Sequence, residues 1–184
     1  MLVLYYDYAS PASAVAVLRL QSLADDGLPV GFAGIDPLGV DAPLPVTLDQ
    51  LEELARWAPR AATLGLTMHR PPLRPPTVGA HLLGELAATH DLGAAWRAAA
   101  LEAYWTHGRD LGDEAVLREL ALDVGLDGPT TDDWLADRAR RARLRRTMTA
   151  DRGRGIGGVP VLEAGGTFVA ADLPDPDLRT LAGL

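Results

Sequence analysis

The sequence predicts an α/β fold in which a four-stranded sheet is interrupted by an all-helical insertion. Three observations predict it. Strand-forming stretches at Leu2 to Asp7 and Pro29 to Ile35 flank a helical run, which makes a β-α-β unit of ordinary length. Two short strand patterns meet at Gly165-Gly166 near the far end, a tight-hairpin signal. The stretch between the two carries helical spacing throughout. Residues 1–46 and 151–184 would form one discontinuous sheet domain, and 47–150 the helical insertion, whose last helix leads back to the sheet.

Leu2 to Asp7 is nearly all apolar, which suits a central strand covered on both faces. Ser10 is a good N-cap and Pro11 a good first residue, so a helix runs from about Pro11 to Ala24, with Gly27 ending it. The second strand gives way at Asp36 to a loop marked by Pro37, Pro43 and Pro45. Thr47 and Gln50 form a capping box ahead of Leu51, Leu54, Ala55 and Ala58 at helical spacing. The run from Arg70 to Pro76 holds four prolines and cannot be helix. Helices are expected at about 77–90, 92–107 and 113–125, the third capped by Asp113. A long helix at about 131–150 has Asp132 and Asp133 in its first turn and arginines toward its end, a polarity that complements the helix dipole. Val159 to Ala164 and Thr167 to Ala171 are the last strands, and Asp175-Pro176 opens a terminal helix.

Composition narrows the function. The chain has 184 residues, 48 % hydrophobic and 23 % charged, with a formal net charge of −8. An acidic surface repels phosphates, so neither nucleic acid nor an anionic membrane is an expected partner. There is no cysteine, which excludes disulfides, thiolate metal sites and any redox cycle on the chain's own thiols. With no signal-like start and no apolar run of bilayer length, the expected location is cytoplasmic.

The element order resembles the thioredoxin fold, and a helical block between the second and third strands resembles its DsbA-like branch. Three local matches carry the resemblance. Where that branch starts its first helix with Cys-Pro-x-Cys, this chain reads Ser10-Pro11-Ala12-Ser13. Where it opens the third strand with a cis Val-Pro pair, this chain reads Gly157-Gly158-Val159-Pro160. The stretch AHLLGELAATHDLGAAWRAAALEAYWTHGRDLGDEAVLRELALDVGLD is similar to the helical region of FrnE-like proteins. Neighbouring groups, the 2-hydroxychromene-2-carboxylate isomerases and kappa-class glutathione transferases, start the helix with Ser-Pro-Tyr-Ser, closer to this sequence. The resemblance spans the whole chain, and the missing cysteines are its departure: dithiol exchange cannot occur on this chain.

A helix N-terminus offers unpaired N–H donors and partial positive charge to an anion. A serine there is a poor nucleophile without a base, and no histidine lies near Ser10 in sequence. Its hydroxyl can cap the helix, or donate to a bound thiolate; the resemblance to the isomerases and transferases implies the second role, with glutathione or another low-molecular-weight thiol as the cofactor. Ser13, one turn further in, reads as structural, with ligand binding at the same tip as the other role. Val159 and Pro160 either form a rigid turn or present backbone N–H and C=O to an extended ligand. The kappa-type pattern implies that Asp172 holds the γ-glutamyl end of such a ligand; the alternative is a turn residue before Pro174.

Other motifs carry less. Gly153, Gly155 and Gly158 satisfy G-x-G-x-x-G but follow a helix and precede a strand, the reverse of a dinucleotide site. His69, His81, His90 and His107 lack metal-ligand spacing and read as surface or partly buried helical residues, with His81 able to line a pocket over the active edge. Trp96, Tyr104 and Trp105 read as core. Arg138, Arg141 and Arg145 share a helix face, with Asp137 placed to pair with Arg141; the face is either a solvated one or an anion site.

Two functional readings stand. One is a cysteine-free member of the oxidoreductase and isomerase superfamily that binds a small thiol, thiol conjugate or other small molecule at Ser10 facing Pro160, as a monomer or homodimer. The other is a thioredoxin-like binding or interaction module without chemistry. Whether the chain is an enzyme is left open by the sequence.

Overall fold

Strand β1 (Leu2–Tyr6) is the spine of the sheet, as its near-continuous apolarity requires. In the computed structural model, which describes residues 1–184, β1 pairs in parallel with β2 (Val30–Gly34). On its other side it pairs antiparallel with β3 (Val161–Ala164), which pairs with β4 (Thr167–Ala170), so the order is β2-β1-β3-β4. Side chains of a strand alternate between faces. Leu2, Leu4 and Tyr6 therefore enter a large core with α1 (Pro11–Asp25), while Tyr5 enters a smaller one on the opposite face. Full burial of each is worth roughly 1.5–3 kcal/mol against exposure.

Between β2 and β3 lie α2 (Leu48–Thr63), α3 (Val78–Thr89), α4 (Gly93–Trp105), α5 (Glu114–Asp123), α6 (Gly128–Ala136) and α7 (Arg138–Gly153); α8 (Asp175–Ala182) ends the chain. The Thr47–Gln50 capping box opens α2, and Asp113 accepts from Ala115 N–H to cap α5. Trp96, Tyr104 and Trp105 are buried, and each finds a backbone acceptor: Ala80, Leu73 and Tyr8 respectively. The bond from Trp105 to Tyr8 ties α4 directly to the segment that follows β1.

One expected element is two. The helix read at 131–150 is broken at Asp137, whose backbone is extended at φ −74°, ψ 94°. Its carboxylate accepts from Arg140 N–H at 2.9 Å and so caps α7, while Asp127 caps α6. A carboxylate inside a helical pattern can start a new helix as well as decorate an old one, and Asp132 and Asp133 accordingly sit in α6. The expected Asp137–Arg141 pair is replaced by Asp137–Arg140, and Arg141 reaches Glu114 instead. The last strands are also shorter than expected, because Val159 and Pro160 lie outside the β3 ladder.

Candidate functional site

Ser10 ends the turn after β1 in an extended conformation, and Pro11 fixes the first helical φ, so the tip of α1 is set by two adjacent residues. Ser10 Oγ accepts from Ser13 N–H at 3.2 Å, the capping bond. It also donates to the Val159 carbonyl at 3.4 Å, across 149 residues of chain. The Val159–Pro160 peptide bond is cis. Neither Val159 N–H nor Ala12 N–H has an acceptor within the protein. The helix tip and the prolyl turn thus meet edge to edge, with free donors from both sides and a hydroxyl between them.

From this junction a narrow groove runs along α1. Ala12, Ala16 and Pro160 form its floor; Trp57 and Arg60 of α2 and Asp172 after β4 stand on its walls. Arg60 lies 5.5 Å from the Trp57 ring centroid and has no carboxylate within ion-pair distance. Arg19, in the same groove, is tied to Asp175. Asp172 is exposed beside Pro160. A second small pocket, with Ala9, Pro11, Leu51, Leu54 and Trp105 among its walls, lies on the other side of the tip.

Of the residues expected at the site, Pro160 and Asp172 line this groove, while Ser10 and Val159 meet each other at the junction beside it. Ser13 does not face it. It is wholly buried, and its hydroxyl accepts from Asp7 N–H at 3.3 Å, which leaves it supporting the tip from inside. No histidine or carboxylate hydrogen-bonds to the Ser10 side chain, so nothing there acts as its base. No group of three His, Asp or Glu side chains is placed to hold a metal ion.

Sequence reasoning missed the polar cluster directly behind the tip. Asp7, 1 % exposed, accepts from Thr77 Oγ1 at 2.6 Å and pairs with Arg74 at 3.4 Å. His81 is buried rather than lining the active edge: its Nε2 stands 3.5 Å from Asp7 Oδ1 without hydrogen-bond alignment, and its ring packs 4.7 Å from that of Tyr8. A Cβ at Gly34 would lie 2.0 Å from His81 Nδ1, so the ring fits only because position 34 has none. Burial pushes the Tyr8 hydroxyl well above the usual tyrosine range and raises Tyr6 too, leaving both as neutral partners in this wall. The available signal was a carboxylate at the end of an apolar strand, which must be partnered once buried.

A family model described as a DSBA-like thioredoxin domain matches residues 1–179. No curated protein matches the chain. Among solved structures, a probable DsbA oxidoreductase from Streptomyces coelicolor aligns with a TM-score of 0.81 at 23 % identity, over 99 % of this chain and 88 % of that one. A 2-hydroxychromene-2-carboxylate isomerase aligns at 0.76 and 22 %, over 91 % and 87 %. The cytosolic disulfide reductase DsbM from Pseudomonas aeruginosa, solved with GSH, aligns at 0.59 and 22 %, over 99 % and 95 %. At these identities the likeness is one of fold. No helix of the chain is long and apolar enough to cross a membrane.

Proposed function

This chain belongs to the DSBA-like thioredoxin-domain family, and from that premise we propose that it binds a small thiol of the glutathione kind, with the thiolate at the tip of α1. The carrying observation is the 3.4 Å approach of Ser10 Oγ to the Val159 carbonyl, which puts a hydroxyl, a helix N-terminus and an open backbone edge at one point. The bond to Val159 is long and easily exchanged. On binding, the hydroxyl turns from that carbonyl to the sulfur, and Ala12 N–H and the helix dipole add to the field that favours a thiolate. The free Val159 N–H pairs with the ligand's backbone. Asp172 suits the ammonium group of a glutathione-like peptide and Arg60 one of its two carboxylates.

Cysteine-free composition rules out dithiol exchange on the chain itself, so any chemistry resides in the bound thiol. The lack of a base on Ser10 favours, as a second reading, a binding module that carries a thiol without turning it over. Calorimetric titration with glutathione tests the first point. Saturable binding is expected, weakened at least tenfold in Ser10→Ala with the fold intact by circular dichroism. Absence of saturable binding by glutathione and by other low-molecular-weight thiols would remove the proposal.

A further inference from the structure

Val159 supplies the carbonyl that meets Ser10 and the free N–H beside it, yet the chain leading into it is weakly held. Gly155-Ile156-Gly157-Gly158 links α7 to Val159, and three of these four residues are glycines. A Cβ at Gly155, Gly157 or Gly158 would meet nothing within 4 Å, so the backbone there runs clear of neighbours. The one side chain that anchors the segment is Ile156, 1 % exposed in the smaller core. Val159 packs its own side chain against that same core.

Side chains join the two ends of the segment instead. Arg154, the C-cap of α7, donates from Nη2 to Glu163 Oε1 of β3 at 2.7 Å, bridging the loop from end to end. Its Nη1 donates to the Tyr5 hydroxyl at 3.1 Å and to Asp151 Oδ1 at 3.3 Å. Tyr5 in turn donates to Glu163 Oε2 at 2.9 Å, so both carboxylate oxygens are taken. These bonds, from Tyr5 and from Arg154, hold the Glu163 carboxyl below the usual carboxylate range, which keeps the clasp charged. Register puts Tyr5 opposite Val161 and Glu163 opposite Phe168, on the face of the sheet against which Val159 packs. An isolated exposed ion pair fixes little. Here the third member, Tyr5, is 6 % exposed and lies on β1, the strand whose end leads directly into Ser10. The clasp therefore ties the loop to the same strand that sets the helix tip.

We propose that Arg154 is a positioning residue of the candidate site: by clasping Glu163 and Tyr5 it holds the Val159 backbone against the tip of α1. Arg154 itself touches no ligand. With the clasp closed, the glycine segment spans two fixed ends, and Val159 keeps its carbonyl on Ser10 and its N–H open to the site. With the clasp open, Ile156 is the one side chain restraining the segment, and the Val159 edge loses its fixed place. The effect on ligand binding rests on the thiol reading; the effect on the Val159–Ser10 contact does not.

The experiment compares the full chain with Arg154→Gln, Glu163→Gln and the double variant, by nuclear magnetic resonance and by calorimetric titration with glutathione. In the ligand-free chain, Arg154→Gln should shift and broaden the Gly158 and Val159 amide signals while leaving those of Val17 and Leu20, inside α1, unchanged. Glutathione should bind Arg154→Gln about fivefold more weakly, the effect of losing one well-made ion pair. Glu163→Gln should do the same, and the double variant should lose no more than either single one, because each change opens the same clasp. The proposal is overturned if the Val159 amide is unmoved in Arg154→Gln, if that variant binds glutathione as tightly as the parent chain, or if the two single losses add. Should the parent chain itself not bind glutathione, the thiol reading falls, and the Val159 amide alone decides whether Arg154 positions this edge.

Discussion

Ser10 and Asp7 stand three residues apart at the same junction, and the fold holds them in opposite ways. Asp7 faces inward, where a 2.6 Å bond from Thr77 and the Arg74 guanidinium fix it against the start of α3. Ser10 stands at the helix tip, where its one bond beyond the cap is the long approach to Val159. A fully partnered group of this kind sets geometry, whereas a loosely partnered one at a helix tip remains able to exchange its partner for a ligand. The comparison assigns assembly of the junction to Asp7 and recognition to Ser10.

The strongest way to break that division is Asp7→Ala. It strands the Arg74 charge and the buried Thr77 hydroxyl together, and should cost about 3 kcal/mol in urea unfolding. A loss below about 1 kcal/mol would mean that the cluster is not the anchor of the junction. Gly34→Ala probes the same wall from the other strand. Its Cβ would overlap His81, so a loss of roughly 1–3 kcal/mol is expected. Adding His81→Ala should recover part of that loss, making the pair non-additive in a double-mutant cycle; strictly additive losses would show that the ring is not what fills the space. Ser10→Ala should be the mildest for stability, about 1 kcal/mol, because Pro11 still fixes the helix start when the capping bond is gone. Its larger effect is expected on glutathione binding. A stability loss for Ser10→Ala that matched Asp7→Ala would erase the contrast.

Much of this molecule is readable along the chain. The capping box at Thr47, the cap at Asp113, the Ser10-Pro11 start and the Gly165-Gly166 hairpin are short-range signals, and each appears where its residues stand. The break at Asp137 was harder to read, because helical spacing continues across it while the carboxylate turns to cap the next helix. The arginine face was legible as a face but not as a set of partners. Arg141 and Arg145 find acids on the α5 start and the loop after β2, while Arg138 on the same face and Arg152, two turns beyond Arg145, have none.

The sequence by itself determined the elements, the helix caps, the absence of thiol chemistry and the two landmarks at Ser10 and Val159-Pro160. These are properties of neighbouring residues and of composition. Only the tertiary structure decided that the landmarks touch, that Ser13 and His81 are walled in, and that Asp7, Arg74 and Thr77 share one buried knot. The physical reason is burial: once a polar group leaves water it must take whatever partner the packing of distant segments supplies. That choice is made by the closing of the helical block onto the sheet, and no local pattern in the chain encodes it.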